Sequence, residues 1–207
     1  MPDVVRNVVA RAFKSVDFPA VLKESVLRRQ EGGNIQRLKK LGKSLEPDKY
    51  RIKLQEQSEL IKCFYPTRFA RIELPNGENY SNKQLEMLGK NLLLLSMNMT
   101  FLNLFKRSDQ DISGFDFNFS MKMDHMSSWK KDSHELIRRF IKDRKLVKLA
   151  RLPAPCSRIP DRIQYGFDQK AFNAVIGYIS VTNESTVVNK FLREEITNPI
   201  ARAILVR

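Results

Sequence analysis

Two apolar stretches, each with a glycine at its centre, constrain the fold of this chain most. "SNKQLEMLGKNLLLL" runs from Ser81 to Leu95, and its leucines recur at helical spacing behind a serine or an asparagine that can cap the helix. "QKAFNAVIGYISV" predicts a second apolar helix, with Gly177 inside it. An interior glycine costs a helix about 1 kcal/mol relative to alanine, so Gly89 and Gly177 predict places where another backbone approaches closely.

Helical periodicity dominates from Tyr50 onward and predicts an all-α fold. Asp132 or Ser133 can cap a helix that runs to about Ala150, and Ser185 or Thr186 can start a final helix. The segment "SDQDISGFDFNFS" is the least helical, and we expect an extended connection there. The predicted domains are a basic N-terminal extension, residues 1–45, in two short helical pieces separated at "EGG", and a helical domain, residues 46–207.

The charge of the chain favours a polyanionic partner. Lys and Arg number 37 against 23 Asp and Glu, which gives a net charge of +14. RNA, DNA or an anionic membrane surface would each satisfy that field, and no apolar run is long enough to predict a membrane span. The cations that we expect to bind RNA lie in the extension and on one later helix: Arg28, Arg29, Arg37, Lys39, Lys40, Lys43, Arg138, Lys142 and Lys145.

Other site chemistries have little material in this sequence. Cys63 and Cys156 lack metal-ligand spacing, and His125 and His134 are the only histidines. We therefore predict no cofactor and no metal. The first residues, "MPDVVRNVVARAFKSV", form an amphipathic basic pattern that fits an organellar targeting segment or an ordinary surface helix, and both interpretations stay open.

Taken in order, four stretches of the chain resemble the ribonuclease III family over about residues 50–197. "NKQLEMLGKNLL" resembles the signature N-E-R-L-E-F-L-G-D, and "FNAVIGYISV" resembles the later helix E-A-L-I-G-A-I-Y-L. Leu60 to Phe69 is similar to the opening helix and turn, and "SHELIRRFIKDRKLVKL" to the central helix. The resemblance implies a ribonuclease III-like endonuclease-domain fold whose signature helices meet at a dimer interface, here Leu85, Leu88, Gly89 and Leu92.

The carboxylates of that family are largely missing. The family cuts double-stranded RNA with magnesium ions, and the resemblance places the five carboxylate positions on Lys83, Glu86, Lys90, Lys170 and Asn173. Lysines would repel a divalent cation that needs hard oxygen ligands, so we predict no catalytic residues and no enzyme activity. Glu86 is expected to pair with Lys83 or Lys90. Whether these lysines now touch phosphate stays open.

Degenerate, highly basic members of this kind resemble structural proteins of the large subunit of fungal mitochondrial ribosomes. The resemblance implies a protein of the mitochondrial matrix that binds ribosomal RNA and pairs with another ribonuclease III-like ribosomal protein. A homodimer in isolation stays open as the alternative. Two alternatives are a short active ribonuclease III that matures ribosomal RNA and an inactive partner subunit of a nuclease outside the ribosome. The lost carboxylates argue against the first alternative, but sequence does not separate the second.

Overall fold

The computed structural model describes residues 24–54, 56–66, 71–74, 76–104, 119–152 and 159–205. Its elements confirm an all-α fold with one small hairpin. In chain order they are α1 (Glu24–Leu45), a 3₁₀ turn (Pro47–Tyr50), α2 (Gln57–Lys62), β1 (Arg71–Glu73), β2 (Asn79–Ser81), α3 (Asn82–Leu104), α4 (Phe119–Asp143), α5 (Asp161–Thr182), α6 (Ser185–Phe191), a π-helical turn (Leu192–Thr197) and α7 (Asn198–Leu205).

The hairpin leads directly into α3. β1 and β2 pair antiparallel, with Ile72 opposite Tyr80, and polar residues 76–78 precede β2. Ser81 Oγ accepts a hydrogen bond from the backbone N–H of Gln84, and Gln84 Oε1 accepts one from the backbone N–H of Ser81. This reciprocal capping box satisfies two helix-end donors and confirms Ser81 as the cap.

α3 and α5 are packed backbone to backbone. A Cβ built on Gly89 would lie 1.9 Å from the carbonyl oxygen of Asn173, and one built on Gly177 would lie 2.1 Å from the carbonyl oxygen of Leu85. The order of these contacts shows that the two helices run antiparallel where they meet. The prediction of close backbone approach at both glycines is confirmed, and both contacts lie within one chain.

α5 is the central helix of the domain. An unbroken run of its residues, from Ala171 to Ile179, is buried, whereas α3 buries mainly one face. Phe172 of α5 lies 5.9 Å, between ring centroids, from Phe140 of α4. Apart from Asn173 this stretch is almost entirely apolar, so the helix needs cover on all sides, and its burial shows that it has it.

Three boundary predictions were wrong. α1 is one continuous helix through Gly32, so "EGG" does not break it, and α4 begins at Phe119 instead of near Asp132 and ends at Asp143 instead of near Ala150. The chain divides into two compact units, Met1–Gln36 and Arg37–Arg207. Residues 37–45 therefore belong to the helical domain, because Leu41 and Leu45 are buried in its core. The possible targeting segment, residues 1–16, and most of the predicted extended connection lie outside the described residues.

Candidate nucleic-acid interface

The residues that the resemblance aligns with the family's metal ligands lie around the contact between α3 and α5. Lys83 and Lys90 are exposed on α3, and Lys170 is exposed on α5. Asn173 is 4% exposed, and its Oδ1 is buried without a hydrogen-bond partner. Because Gly89 touches Asn173, the turn that carries Lys90 lies against the turn that follows Lys170. The two motif helices do meet at the residues that the resemblance aligns.

Glu86 does not have the predicted partner. Within the described part of the chain, no ion pair joins Glu86 to Lys83 or Lys90. The third lysine at the aligned positions, Lys170, has its ammonium 5.5 Å from the ring centroid of Phe167. Among the residues that the structure describes, no group of three or more His, Cys, Asp or Glu side chains is placed to hold a metal ion.

Two basic segments are joined by hydrogen bonds between distant parts of the chain. Lys40 Nζ donates to the backbone carbonyl of Val147 at 2.7 Å, and Arg37 Nε donates to the carbonyl of Lys148 at 3.2 Å. In the other direction, a guanidinium nitrogen of Arg144 donates to the carbonyl of Ser44. These bonds hold residues 37–44 against residues 144–148, and we call the two basic segments together, residues 37–51 and 138–151, the cationic surface.

The cationic surface holds most of the excess charge of the protein. Residues 37–51 contain six Lys or Arg and two Asp or Glu, and residues 138–151 contain seven and one. Their net charge is therefore +10, out of +14 for the whole chain. Such a concentration of one sign raises the local potential and attracts a polyanion.

A buried carboxylate ties the edge of this surface to the core. Glu195 Oε1 accepts hydrogen bonds from Tyr50 Oη at 2.8 Å and Lys49 Nζ at 3.1 Å, and Glu195 Oε2 lies 3.2 Å from a guanidinium nitrogen of Arg144. Burial alone would raise the pKa of Glu195, but the hydrogen bonds from Tyr50 and Lys49 and the charges of Lys49 and Arg144 outweigh it, and the pKa lies below its usual value. The π-helical turn places this carboxylate where three segments meet.

The predicted RNA-binding residues differ in how available they are. Arg28 and Arg29 lie in α1, but their side chains are outside the described part of the structure. Arg37, Lys40 and Arg138 are half-buried, and burial lowers the pKa of Lys40. Arg138 Nε is buried without a hydrogen-bond partner. The exposed members are Lys39, Lys43, Lys142 and Lys145.

Sequence reasoning missed three residues of this region. Lys148 is exposed beside Lys145, whereas Asp168 and Glu195 are buried acids under the surface. Lys148 lay in the predicted central helix, and nothing in the local sequence distinguished it from the other cations of that helix. Glu195 stands next to apolar Ile196 on a predicted helix, which was a weak signal, whereas Asp168 lies just before the predicted helix that begins at Gln169. The partners of both acids come from distant segments, and no local pattern identifies them.

The outer side of α3 carries an apolar stripe. Leu88 and Leu92 are half-buried, Leu95 is 59% exposed, Met99 50% and Leu102 39%. Their spacing of four and three residues places them on one line along the helix, and we call this line the outer stripe.

The predicted dimer interface needs correction, because Leu85 and Gly89 are buried against α5 within the chain. Leu88 and Leu92 alone lie at the edge of a surface that a partner can reach.

Among the residues that the structure describes, none of the helices combines the length and apolar character needed to cross a membrane.

No protein-family model matches the chain, no curated protein matches it in sequence, and no solved structure matches its fold. Assignment to the ribonuclease III family therefore stays a prediction from the ordered motifs.

Proposed function

We propose that this protein is a non-enzymatic RNA-binding protein that contacts the phosphate backbone through the cationic surface. The observation that carries the proposal is the joining of residues 37–51 and 138–151, with a net charge of +10, by the contacts of Arg37, Lys40 and Arg144. Each phosphate that a lysine or arginine neutralises releases condensed counterions, so such a surface binds structured RNA with a steep dependence on salt.

The lysines at the contact between α3 and α5 support a role without hydrolysis. Magnesium-dependent cleavage needs oxygen ligands to bind the metal and activate water, whereas Lys83, Lys90 and Lys170 present ammonium groups there. With Asn173 as a neutral amide, Glu86 is the single carboxylate at the aligned positions. We infer a scaffold of the ribonuclease III kind that has exchanged its metal ligands for positive charge.

We further propose that the RNA is ribosomal and that the protein is a structural component of the mitochondrial large ribosomal subunit. The ordered resemblance to ribonuclease III, the lost carboxylates and the strong positive charge support this assignment together. The basic amphipathic N-terminal stretch is compatible with import into the mitochondrial matrix. An inactive subunit that supports a nuclease outside the ribosome is the competing assignment.

The outer stripe supports association with a second protein. Exposed apolar side chains at coiled-coil spacing along one helix are typical of a helix that packs on a partner. Residues 91–104 of α3 contain no charged residue, so the stripe offers no ion pair and its affinity must come from apolar burial. Two copies with a net charge of +14 each would repel, which favours a heterodimer with a less basic ribonuclease III-like protein.

One set of measurements tests the proposal. We expect the purified protein to bind a structured ribosomal RNA fragment with an affinity whose logarithm falls by roughly 0.7 to 0.9 per phosphate contact with the logarithm of salt. It should leave double-stranded RNA intact in magnesium and in manganese. Specific cleavage that Glu86→Ala abolishes would overturn the non-enzymatic assignment.

The cellular assignment needs a separate measurement. We expect the protein to co-sediment with large mitochondrial ribosomal subunits after a high-salt wash. Co-purification with a nuclease in fractions free of ribosomes would instead support the competing assignment. The four-residue change Lys83→Glu, Lys90→Asp, Lys170→Asp and Asn173→Glu should create magnesium affinity in calorimetry, because it restores the aligned carboxylates. A variant that folds and binds no metal would contradict the alignment of the two motif helices.

A further inference from the structure

The turn that follows α4 has an unusual backbone for its sequence. Lys145 has φ 56° and Lys148 has φ 65°, so two lysines within one turn occupy the left-handed region that glycine favours. Residues with a Cβ keep this conformation only where the surrounding structure dictates it, and such positions concentrate at functional sites. The turn therefore depends on bonds from neighbouring segments to keep both lysines in this conformation.

Asp168 of α5 holds the turn from below. Its Oδ2 accepts the backbone N–H of Lys148 at 2.7 Å, and its Oδ1 accepts the backbone N–H of Ala150 at 2.8 Å. Gln164, one turn earlier on α5, donates to Oδ1 at 2.8 Å. The carboxylate is fully buried. It accepts hydrogen bonds from the backbone amides of the turn in the way that a bound free anion would.

Other bonds fix the remaining sides of the turn. Lys40 and Arg37 of α1 donate to the carbonyls of Val147 and Lys148, as described above. Within the turn, the N–H of Leu146 donates to the carbonyl of Ile141 at 2.8 Å, and the Leu146 side chain is buried. Several backbone groups of the turn are therefore bonded to α1, α4 and α5, whereas the side chains of Lys145 and Lys148 are exposed.

We propose that the turn Arg144–Ala150 is a preordered contact site for the phosphate backbone of duplex RNA, with Lys145 and Lys148 as contact residues and Asp168 as the residue that positions them. The proposal rests on the proposed RNA-binding function and names where on the cationic surface the duplex is held. A backbone fixed before binding loses less conformational freedom when the lysines meet phosphate, which increases affinity for each contact. Duplex RNA fits because its recognition depends on shape and on phosphate contacts, for which lysines at fixed positions suffice.

Asp168→Asn separates this proposal from simple electrostatics by the sign of its effect. Removal of a negative charge from beneath a cationic surface should tighten RNA binding if charge alone matters. If Asp168 orders the turn, the variant should bind a duplex RNA fragment more weakly, by about threefold or more, because an amide nitrogen cannot accept the N–H of Lys148 or Ala150. Affinity is measured by fluorescence anisotropy at 0.1 M salt, on protein whose circular dichroism matches that of the wild type.

A paired-lysine comparison keeps the test valid if Asp168→Asn fails to fold. Lys145→Gln with Lys148→Gln removes two exposed charges from the turn, and Lys83→Gln with Lys90→Gln removes two exposed charges from α3. The turn variant should flatten the salt slope by about 1.5, as expected for two lost contacts, and weaken binding by about tenfold at 0.1 M salt. The α3 variant should keep the wild-type slope.

The outcomes separate this inference from the proposed function. A wild-type protein that does not bind duplex RNA would overturn both. A wild type that binds, with equal losses in the two paired variants, would show that total charge and not the turn determines affinity, and would overturn the inference alone. Tighter binding by folded Asp168→Asn would overturn the positioning role.

Discussion

The contact between α3 and α5 and the cationic surface are built by opposite means. At the first, apolar side chains and two glycines let two helices of the motif pattern pack backbone to backbone, with Gly89 against Asn173 and Gly177 against Leu85. At the second, Asp168 and Glu195 are buried under positive charge and bond to segments far away in the chain. Apolar packing leaves a periodic trace in the sequence, whereas a buried carboxylate is recognised only with its partners.

The difference also concerns what each region can tolerate. Steric fit at a backbone contact leaves no room for a single methyl group, while a network of several hydrogen bonds loses them one at a time. Substitutions should therefore act abruptly at the helix contact and gradually at the cationic surface. The outer stripe of α3 forms a third case, because its exposed members Leu95, Met99 and Leu102 contribute little to the fold of the isolated chain.

The largest effect is expected at Gly89. Gly89→Ala should lower the free energy of unfolding by about 3 kcal/mol or more, because the new Cβ would lie 1.9 Å from the carbonyl oxygen of Asn173 and the two helices must separate. Gly166→Ala, on α5, is the matched control: no atom lies within 4 Å of its Cβ position, so it should stabilise the helix by about 1 kcal/mol. Urea unfolding measures both. Equal stability of Gly89→Ala and the wild type would contradict the backbone contact.

An intermediate effect is expected at Glu195 and should depend on pH. The pKa of Glu195 is lower in the folded protein than in the unfolded chain, so its contribution to stability is present above its ordinary pKa, about 4.3, and is lost as pH falls through the folded value. At pH 7, Glu195→Gln should cost about 2 kcal/mol through weakened bonds to Tyr50, Lys49 and Arg144. It should also flatten the loss of stability as the pH falls below the ordinary pKa of a glutamate, because the folded pKa of Glu195 lies lower still.

The control for this pH profile is Glu184→Gln, which changes an exposed carboxylate before α6. It should leave both the stability at pH 7 and the acid profile close to those of the wild type. If Glu195→Gln shows the same acid profile as this control, Glu195 is not the carboxylate that links stability to pH at the edge of the cationic surface.

The smallest effect on stability is expected at the outer stripe. Leu95→Ser with Met99→Ser should change the free energy of unfolding of the isolated chain by about 0.5 kcal/mol per site, because both side chains are exposed. The same change should reduce association with a partner or a second copy, measured by sedimentation velocity. Ile163→Ser alters an exposed apolar residue of α5, outside the stripe, and should leave association unchanged. Similar association of all three proteins would rule out the stripe as an interface.

The sequence by itself determined the features that depend on local repetition. The period of apolar residues gave the all-α class, Ser81 gave the start of α3, and the interior glycines marked where α3 and α5 meet. The ordered motifs further predict a resemblance to ribonuclease III in which the family's carboxylate positions fall mostly on lysines. Net charge is a sum over residues and needs no structure, and its value of +14 predicts a polyanionic partner.

Only the tertiary structure decided how the charges are grouped and which apolar residues are free. The sequence divided the cations between an extension and a later helix, yet Lys40 and Arg37 bond to the turn at Val147 and Lys148. Leu85 and Leu95 are both leucines of α3, but Leu85 is buried against α5 and Leu95 is exposed. Local sequence determines the period of a helix. Which of its faces is covered depends on contacts between residues about a hundred positions apart, and no local pattern encodes these contacts.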